Sequence, residues 1–207
     1  MKKLLALGAL ALAVGGASAA TYTIGDNDGY GIGIADGANH TFNGFTANFD
    51  GRSGAEMAAT DGAQYTDTYS VTHGAYSPPD QTGSVATFSF TGLGGGWTAG
   101  FLRVDMADFQ ASTFGAVSVT FNGLVQNWAF NDGFPTTRVR YFNLFGNVLD
   151  SINNTGALII KVDRAGSGDF YGFDYFQLET GMIPEPSTYA LMALGIAGLL
   201  AVRRRKV

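Results

Sequence analysis

The sequence predicts an all-β exported domain, a β-sandwich, and three observations carry that prediction. Apolar and polar residues alternate with period two in many short runs. Turn chemistry separates the runs, with 30 glycines among 207 residues. Helical periodicity is nearly absent between the two ends of the chain.

The runs follow in order. Tyr65, Asp67, Tyr69 and Val71 share one side of an expected strand, with Thr66, Thr68 and Ser70 opposite. Ala86, Phe88 and Phe90 alternate with Thr87 and Ser89, and Leu102, Val104 and Met106 with Arg103 and Asp105. Val117, Val119 and Phe121 lead into Asn122-Gly123, the strongest short hairpin signal, and Leu124 to Phe130 is the expected return strand. Asn131-Asp132-Gly133 is the next turn and Arg138 to Leu144 the next strand. Val148 to Ile152 reads as one helical turn stopped at Gly156; Leu158 to Val162 and Phe170 to Leu178 close the domain.

The two ends read as targeting segments. Met1-Lys2-Lys3, the apolar stretch Leu4 to Val14 and the small-residue pattern Ala17-Ser18-Ala19 make residues 1–19 a signal peptide, with the mature chain expected to begin at Ala20. At the other end, Pro184-Glu185-Pro186 is stiff and extended, because each proline fixes φ and restricts the residue before it. The uncharged run Tyr189 to Val202 follows. As a helix it spans roughly 21 Å, short of the ~30 Å hydrocarbon core. Arg203, Arg204, Arg205 and Lys206 make it a membrane segment nonetheless, since such clusters stay on the cytoplasmic side and their long stems snorkel.

These C-terminal residues resemble the PEP-CTERM sorting signal. The resemblance implies an exosortase as processing partner, in addition to signal peptidase and the membrane. It also implies a Gram-negative bacterium that makes extracellular polysaccharide, with an inner-membrane-anchored intermediate that then reaches the cell surface or matrix. The expected division is a signal peptide at 1–19, a sandwich domain at 20–182 and a sorting signal at 183–207, with a transmembrane helix at 189–202. The tag is shared by proteins with very different exported domains and implies no activity.

Residues 20–182 hold six basic residues against sixteen acidic ones, a net charge of −10 that the whole-chain value of −5 conceals. Nucleic acid is excluded as a partner, because its backbone needs clustered Lys and Arg. Solubility and divalent-cation binding are both served by such a charge. The absence of cysteine excludes disulfides, thiolate metal sites and cysteine nucleophiles.

The segment Gly168-Asp169-Phe170-Tyr171-Gly172-Phe173-Asp174-Tyr175-Phe176-Gln177-Leu178-Glu179 resembles the last strand of galactose-binding-like jelly rolls. That resemblance implies a jelly-roll-like sandwich and a structural calcium near the chain ends. Asp26-Asn27-Asp28-Gly29-Tyr30-Gly31 begins like a calcium loop, but an EF-hand needs a glutamate where Gly37 stands. Asp26 and Asp28, with Asp169 or Asp174 from the far end, are the candidate calcium ligands. The alternative is that they are ordinary turn residues.

Catalytic motifs are few. Gly51-Arg52-Ser53-Gly54 has the wrong spacing for a nucleophile elbow. His40 and His73 stand in polar, glycine-rich surroundings and form no zinc-spaced pair. A glycosidase carboxylate pair is made in three dimensions, so a secreted carbohydrate-active hydrolase stays open as the alternative class, beside a protein–protein interaction module. Sugar binding points to Trp97, which follows the loop Gly92 to Gly96; Trp128 reads as core. Arg52, Asp61, Tyr76 and Asp80 occupy loops able to join such a site. The expected function is that of a non-catalytic surface or matrix protein, structural, adhesive or polysaccharide-binding.

Overall fold

The computed structural model describes residues 20–36, 38–41, 49–68, 84–132, 136–169 and 171–180. Among them, nine strands run in chain order with three short helices between: β1 (Thr21–Gly25), β2 (Ala38–Thr41), α1 (Gly54–Ala58), β3 (Val85–Phe90), β4 (Gly100–Ala107), α2 (Ala111–Phe114), β5 (Ser118–Phe121), β6 (Leu124–Gln126), β7 (Thr136–Leu144), α3 (Gly146–Thr155), β8 (Leu158–Asp163) and β9 (Gly172–Thr180). Every pairing is antiparallel. The strands form a five-stranded sheet in the order β1-β9-β4-β7-β2 and a four-stranded sheet in the order β3-β8-β5-β6. The fold is a β-sandwich, as the alternation requires.

The buried half of each alternating run forms the core. Ala86, Phe88 and Phe90 meet Leu158, Ile160 and Val162 across β3 and β8, while Leu102, Val104 and Met106 lie beside Phe173, Phe176 and Leu178. Stacked Phe88 and Phe176 join the two sheets, with ring centroids 4.0 Å apart. Trp128 is buried, stacked on Phe142 at 5.1 Å, as its predicted core role requires. Asn122 and Gly123 both take positive φ, as a two-residue hairpin demands. Gly156 ends α3 in the left-handed conformation, where its backbone N–H donates to the Ile152 carbonyl.

Two expected strands are corrected. Ala63–Tyr65 is a 3₁₀ turn, and Asp67 has a positive φ of 52° that no strand tolerates; residues 69–71 lie outside the described residues. The hairpin's return strand stops at Gln126. Beyond it, the Asn127 side chain accepts from the Ala129 N–H, and the chain turns Trp128 inward. The predicted signal peptide, sorting motif, transmembrane run and basic tail also lie outside the described residues, as do His73, Tyr76 and Asp80. Among the described residues, no helix is long and apolar enough to cross a membrane.

The first and last strands are neighbours. β1 pairs with β9 from Thr21↔Glu179 to Gly25↔Tyr175. The Ala20 N–H donates to the Thr180 hydroxyl at 2.9 Å, and the Thr180 N–H donates to the Ala20 carbonyl at 3.1 Å.

Candidate metal centre

A β-bulge creates the acidic site. In the β4–β9 ladder Val104 faces Phe176 and Met106 faces Phe173, so Asp174 and Tyr175 together stand opposite Asp105. Phe173 and Phe176 keep their places in the core. The extra residue re-aims the side chains between them, a recurrent use of bulges.

The loop after β1 covers this spot. Its residues Gly29–Gly33 form a π-type turn in which Tyr30, at φ 63°, is fully buried against Ala107, Ile34 and Phe49. A Cβ on Gly31 would lie 2.1 Å from the Gly51 carbonyl oxygen, so only glycine permits this packing. The Tyr30 N–H donates to Asp174 Oδ1 at 2.9 Å and its hydroxyl to Asp105 Oδ1 at 3.3 Å. Asp28 accepts from the Gly31 N–H at 2.5 Å, which closes the turn.

The segment between β2 and β3 supplies a further carboxylate. Ser53 and Glu56 form a capping box on α1, and Glu56 Oε1 accepts from the Thr66 hydroxyl at 2.7 Å. Asp67 follows, with its N–H on the Phe173 carbonyl and its own carbonyl on the Gly51 N–H. Replacing Ser53 by Ala removes the cap acceptor. The expected cost is about 1 kcal/mol, a fall of about 2–4 °C in a thermal melt; an unchanged melting temperature would show that the Ser53 hydroxyl contributes nothing to the cap.

Two groups of carboxylates result. Asp26, Asp28 and Asp67 offer oxygens within 4.8 Å of one another, and so do Asp36, Asp105 and Asp174. Asp67 is 0% exposed, yet neither of its oxygens receives a hydrogen-bond donor. Burial, followed by the charges of Glu56, Asp174 and Asp28, drives its carboxyl far above the ordinary range. Burial also raises Asp26, with Glu56 and Asp28 adding to it. Burial raises Asp174 despite the Tyr30 N–H that favours its charged form. Asp105 is pushed up to about 8 by burial, then by Asp174 and Asp36. Arg52 spends its guanidinium on Asp50 and the Gln64 carbonyl, and it lowers the Asp50 carboxyl instead.

A buried, donorless carboxylate is costly unless a cation compensates it. The donor set is oxygen only, which suits a hard cation such as calcium. The residues therefore fit the structural calcium that the sequence resemblance implies. Asp26, Asp28 and Asp67 are the residues that would hold it, and Asp67 is a candidate that sequence reasoning did not single out. Asp26, Asp28 and Asp174 are brought to one region, with Asp174 in the adjoining group. Asp169 lies apart from both groups: its carboxylate accepts from the Gln110 N–H at 2.6 Å and fastens the turn before α2.

The remaining candidates are placed as follows. Trp97 is half-buried against the core; its indole N–H donates to the Leu93 carbonyl at 3.2 Å, and Asn153 brackets its backbone. Asp61 accepts from the Ala63 N–H and shapes the 3₁₀ turn. His40 belongs to β2, opposite Thr137. Sequence reasoning did not single out the exposed aromatic residues on β4, on β7 and at the start of α3. Tyr141 and Phe145 are 71% and 74% exposed, and Phe101, facing Asn143, is 45% exposed.

Comparison with known proteins identifies one segment. The PEP-CTERM protein-sorting motif matches residues 183–206, so the chain carries the sorting signal of an exported protein handled by a membrane-associated exosortase. No curated protein matches the chain. Among solved structures, CBM35 from Cellvibrio japonicus Abf62 is similar to it, at 13% sequence identity and a TM-score of 0.33, over 80% of this chain and 97% of that one.

Proposed function

We propose that the chain is a non-catalytic, calcium-stabilised surface or matrix protein whose sandwich binds extracellular polysaccharide. Export through the sorting signal sets the location. The orphaned Asp67 carboxylate between Asp26 and Asp28 supports the calcium. One observation carries the binding role: Tyr141 and Asn143 are exposed at alternate positions of β7, the exposed Phe145 follows in extended conformation just past the strand's end, and Phe101 stands beside them. Successive same-face residues of extended chain are about 6.7 Å apart, so the backbones of Tyr141 and Phe145 lie roughly 13 Å apart, on the scale of a short oligosaccharide. Exposed rings offer flat apolar platforms to sugar faces, and the Asn143 amide offers both donor and acceptor. Arg103 lies under this face, 5.9 Å from the Tyr141 ring centre, and holds that side in place through its ion pair with Asp36.

A glycan array probed with the full chain and with Tyr141→Ala and Phe145→Ala tests the reading. Binding by the parent chain, reduced at least tenfold in either variant, is expected. Binding that survives both substitutions would move the site elsewhere, and release of cleaved sugars would make the protein a hydrolase. Processing is a separate expectation. Mass spectrometry of the mature protein should find a start near Ala20 and loss of the residues after about Glu185; an intact tail in a host with an active exosortase would count against it.

A further inference from the structure

The Asp36, Asp105 and Asp174 group differs from its neighbour in how its oxygens are held. Three donors converge on Asp36 Oδ2: Arg103 at 2.5 Å, Asn27 at 2.9 Å and the Tyr175 hydroxyl at 3.0 Å. Asp36 Oδ1, by contrast, is shielded from solvent and has no donor. Asp174 repeats the pattern. Its Oδ1 takes the Tyr30 N–H, while Oδ2 has no donor, on a residue that is 0% exposed. Asp105 is buried between them and takes the Tyr30 hydroxyl. Each carboxylate is thus oriented by outside donors, the arrangement that surrounding hydrogen bonds give to metal ligands.

Charge leads to the same place. The two groups together hold six carboxylates, and Arg103 is the cation paired into them, through Asp36. One divalent ion at Asp26, Asp28 and Asp67 leaves most of the charge on the other three uncompensated. Two divalent ions together with Arg103 bring the six to within one charge of neutrality.

We propose that Asp36, Asp105 and Asp174 form a second divalent-cation site, separate from the Asp26–Asp28–Asp67 site. Its ligands come from three places: the loop after β1, the middle of β4 and the bulge of β9. The second ion fastens the loop to the sheet face, while the first ties the same loop to the segment after α1. The donors are again oxygen only, so calcium is the expected occupant. The proposal extends the calcium reading above and rests on it for the neighbouring site.

Calorimetric titration of calcium into the chelator-treated full chain in detergent separates the two sites. The parent chain is expected to bind two equivalents, Asp105→Asn one and Asp67→Asn one. Terbium in place of calcium gives a second readout. Emission excited through tyrosine is expected to fall in Asp105→Asn, because the Tyr30 and Tyr175 hydroxyls bond Asp105 and Asp36 directly. Should Asp105→Asn fail to fold, the partly exposed Asp36→Asn takes its place with the same expected loss of one equivalent. One equivalent in the parent chain, lost in Asp67→Asn and kept in Asp105→Asn, overturns the second site and leaves the first standing. One equivalent lost in both variants means a single joint site and also overturns it. No binding by the parent chain overturns both.

Discussion

Chelating calcium is expected to lower the melting temperature of the full chain by roughly 5–10 °C. A ligand bound by the folded state alone stabilises it by about 2.7 kcal/mol at a hundredfold excess over its Kd. Each kcal/mol is worth about 2–4 °C in a domain of this size. Asp67→Asn gives the sharpest version of the result. Both oxygens of Asp67 are buried without a donor, so in chelator the neutral amide relieves a cost and the variant melts higher than the parent. In calcium the order is expected to reverse, because the parent gains stability from an ion at Asp26, Asp28 and Asp67 that the variant has lost. An ordinary structural aspartate would lose stability in both conditions. Identical melting curves with calcium and with chelator would return Asp26, Asp28 and Asp67 to the status of turn residues.

In chelator the chain is expected to be more stable at pH 5 than at pH 8, and in saturating calcium this preference should disappear or invert. Burial, then the charges of Asp174 and Asp36, pushes the folded carboxyl of Asp105 up to about 8, against 3.8 for an ordinary aspartate. Asp67 and Asp174 are raised in the same direction. Between about pH 4 and pH 8, then, the folded metal-free chain holds a proton on Asp105 that the unfolded chain has released. Stability falls with rising pH wherever the folded state binds more protons. It is fully present below the unfolded value and is lost as pH rises through the folded one. Calcium requires the deprotonated ligands, so its binding strengthens over the same window. Self-repulsion of an acidic domain acts in the same sense as the chelator result, and Asp105→Asn separates the two. The variant should lose part of the pH slope if Asp105 carries it. A chelated parent chain that gains stability from pH 5 to pH 8 would refute the argument.

Much of the sandwich is legible in the sequence because its strands have one wet face and one dry face. The alternation in 86–90, 102–106 and 158–162 reports local geometry directly, as do Asn122-Gly123 and Gly156. β1 and β2 leave a weaker trace: Thr21–Gly25 buries one side chain, Ile24, and its pairing with β9 spans nearly the whole domain. The acidic site is legible only in part, for the same reason. Asp26 and Asp28 declare themselves by standing beside glycine, and Asp174 by closing the last strand. Asp105 looks like the outward member of an alternating run, and Asp67 like one residue of a strand. Their burial depends on a loop that folds over the sheet and on a positive φ, neither of which the local pattern records. Asp169 fits the pattern of a ligand as well as Asp174 does. The bulge at Asp174–Tyr175, which a period of two cannot register, places the later residue in the acidic site.

β9 is flanked by β1 on one side and β4 on the other, and it ends at Thr180, just before the sorting segment. Tension applied through the C-terminal tail therefore enters the sandwich along an interior strand. Pulling β9 along its axis strains both hydrogen-bonded ladders in shear, so many bonds must yield together, whereas an edge strand pulled sideways unzips one bond at a time. Asp174 lies towards the far end of that strand, and a cation held there would act as a rivet against slippage. For an exported chain handled by its tail, this wiring resists tension without a single disulfide.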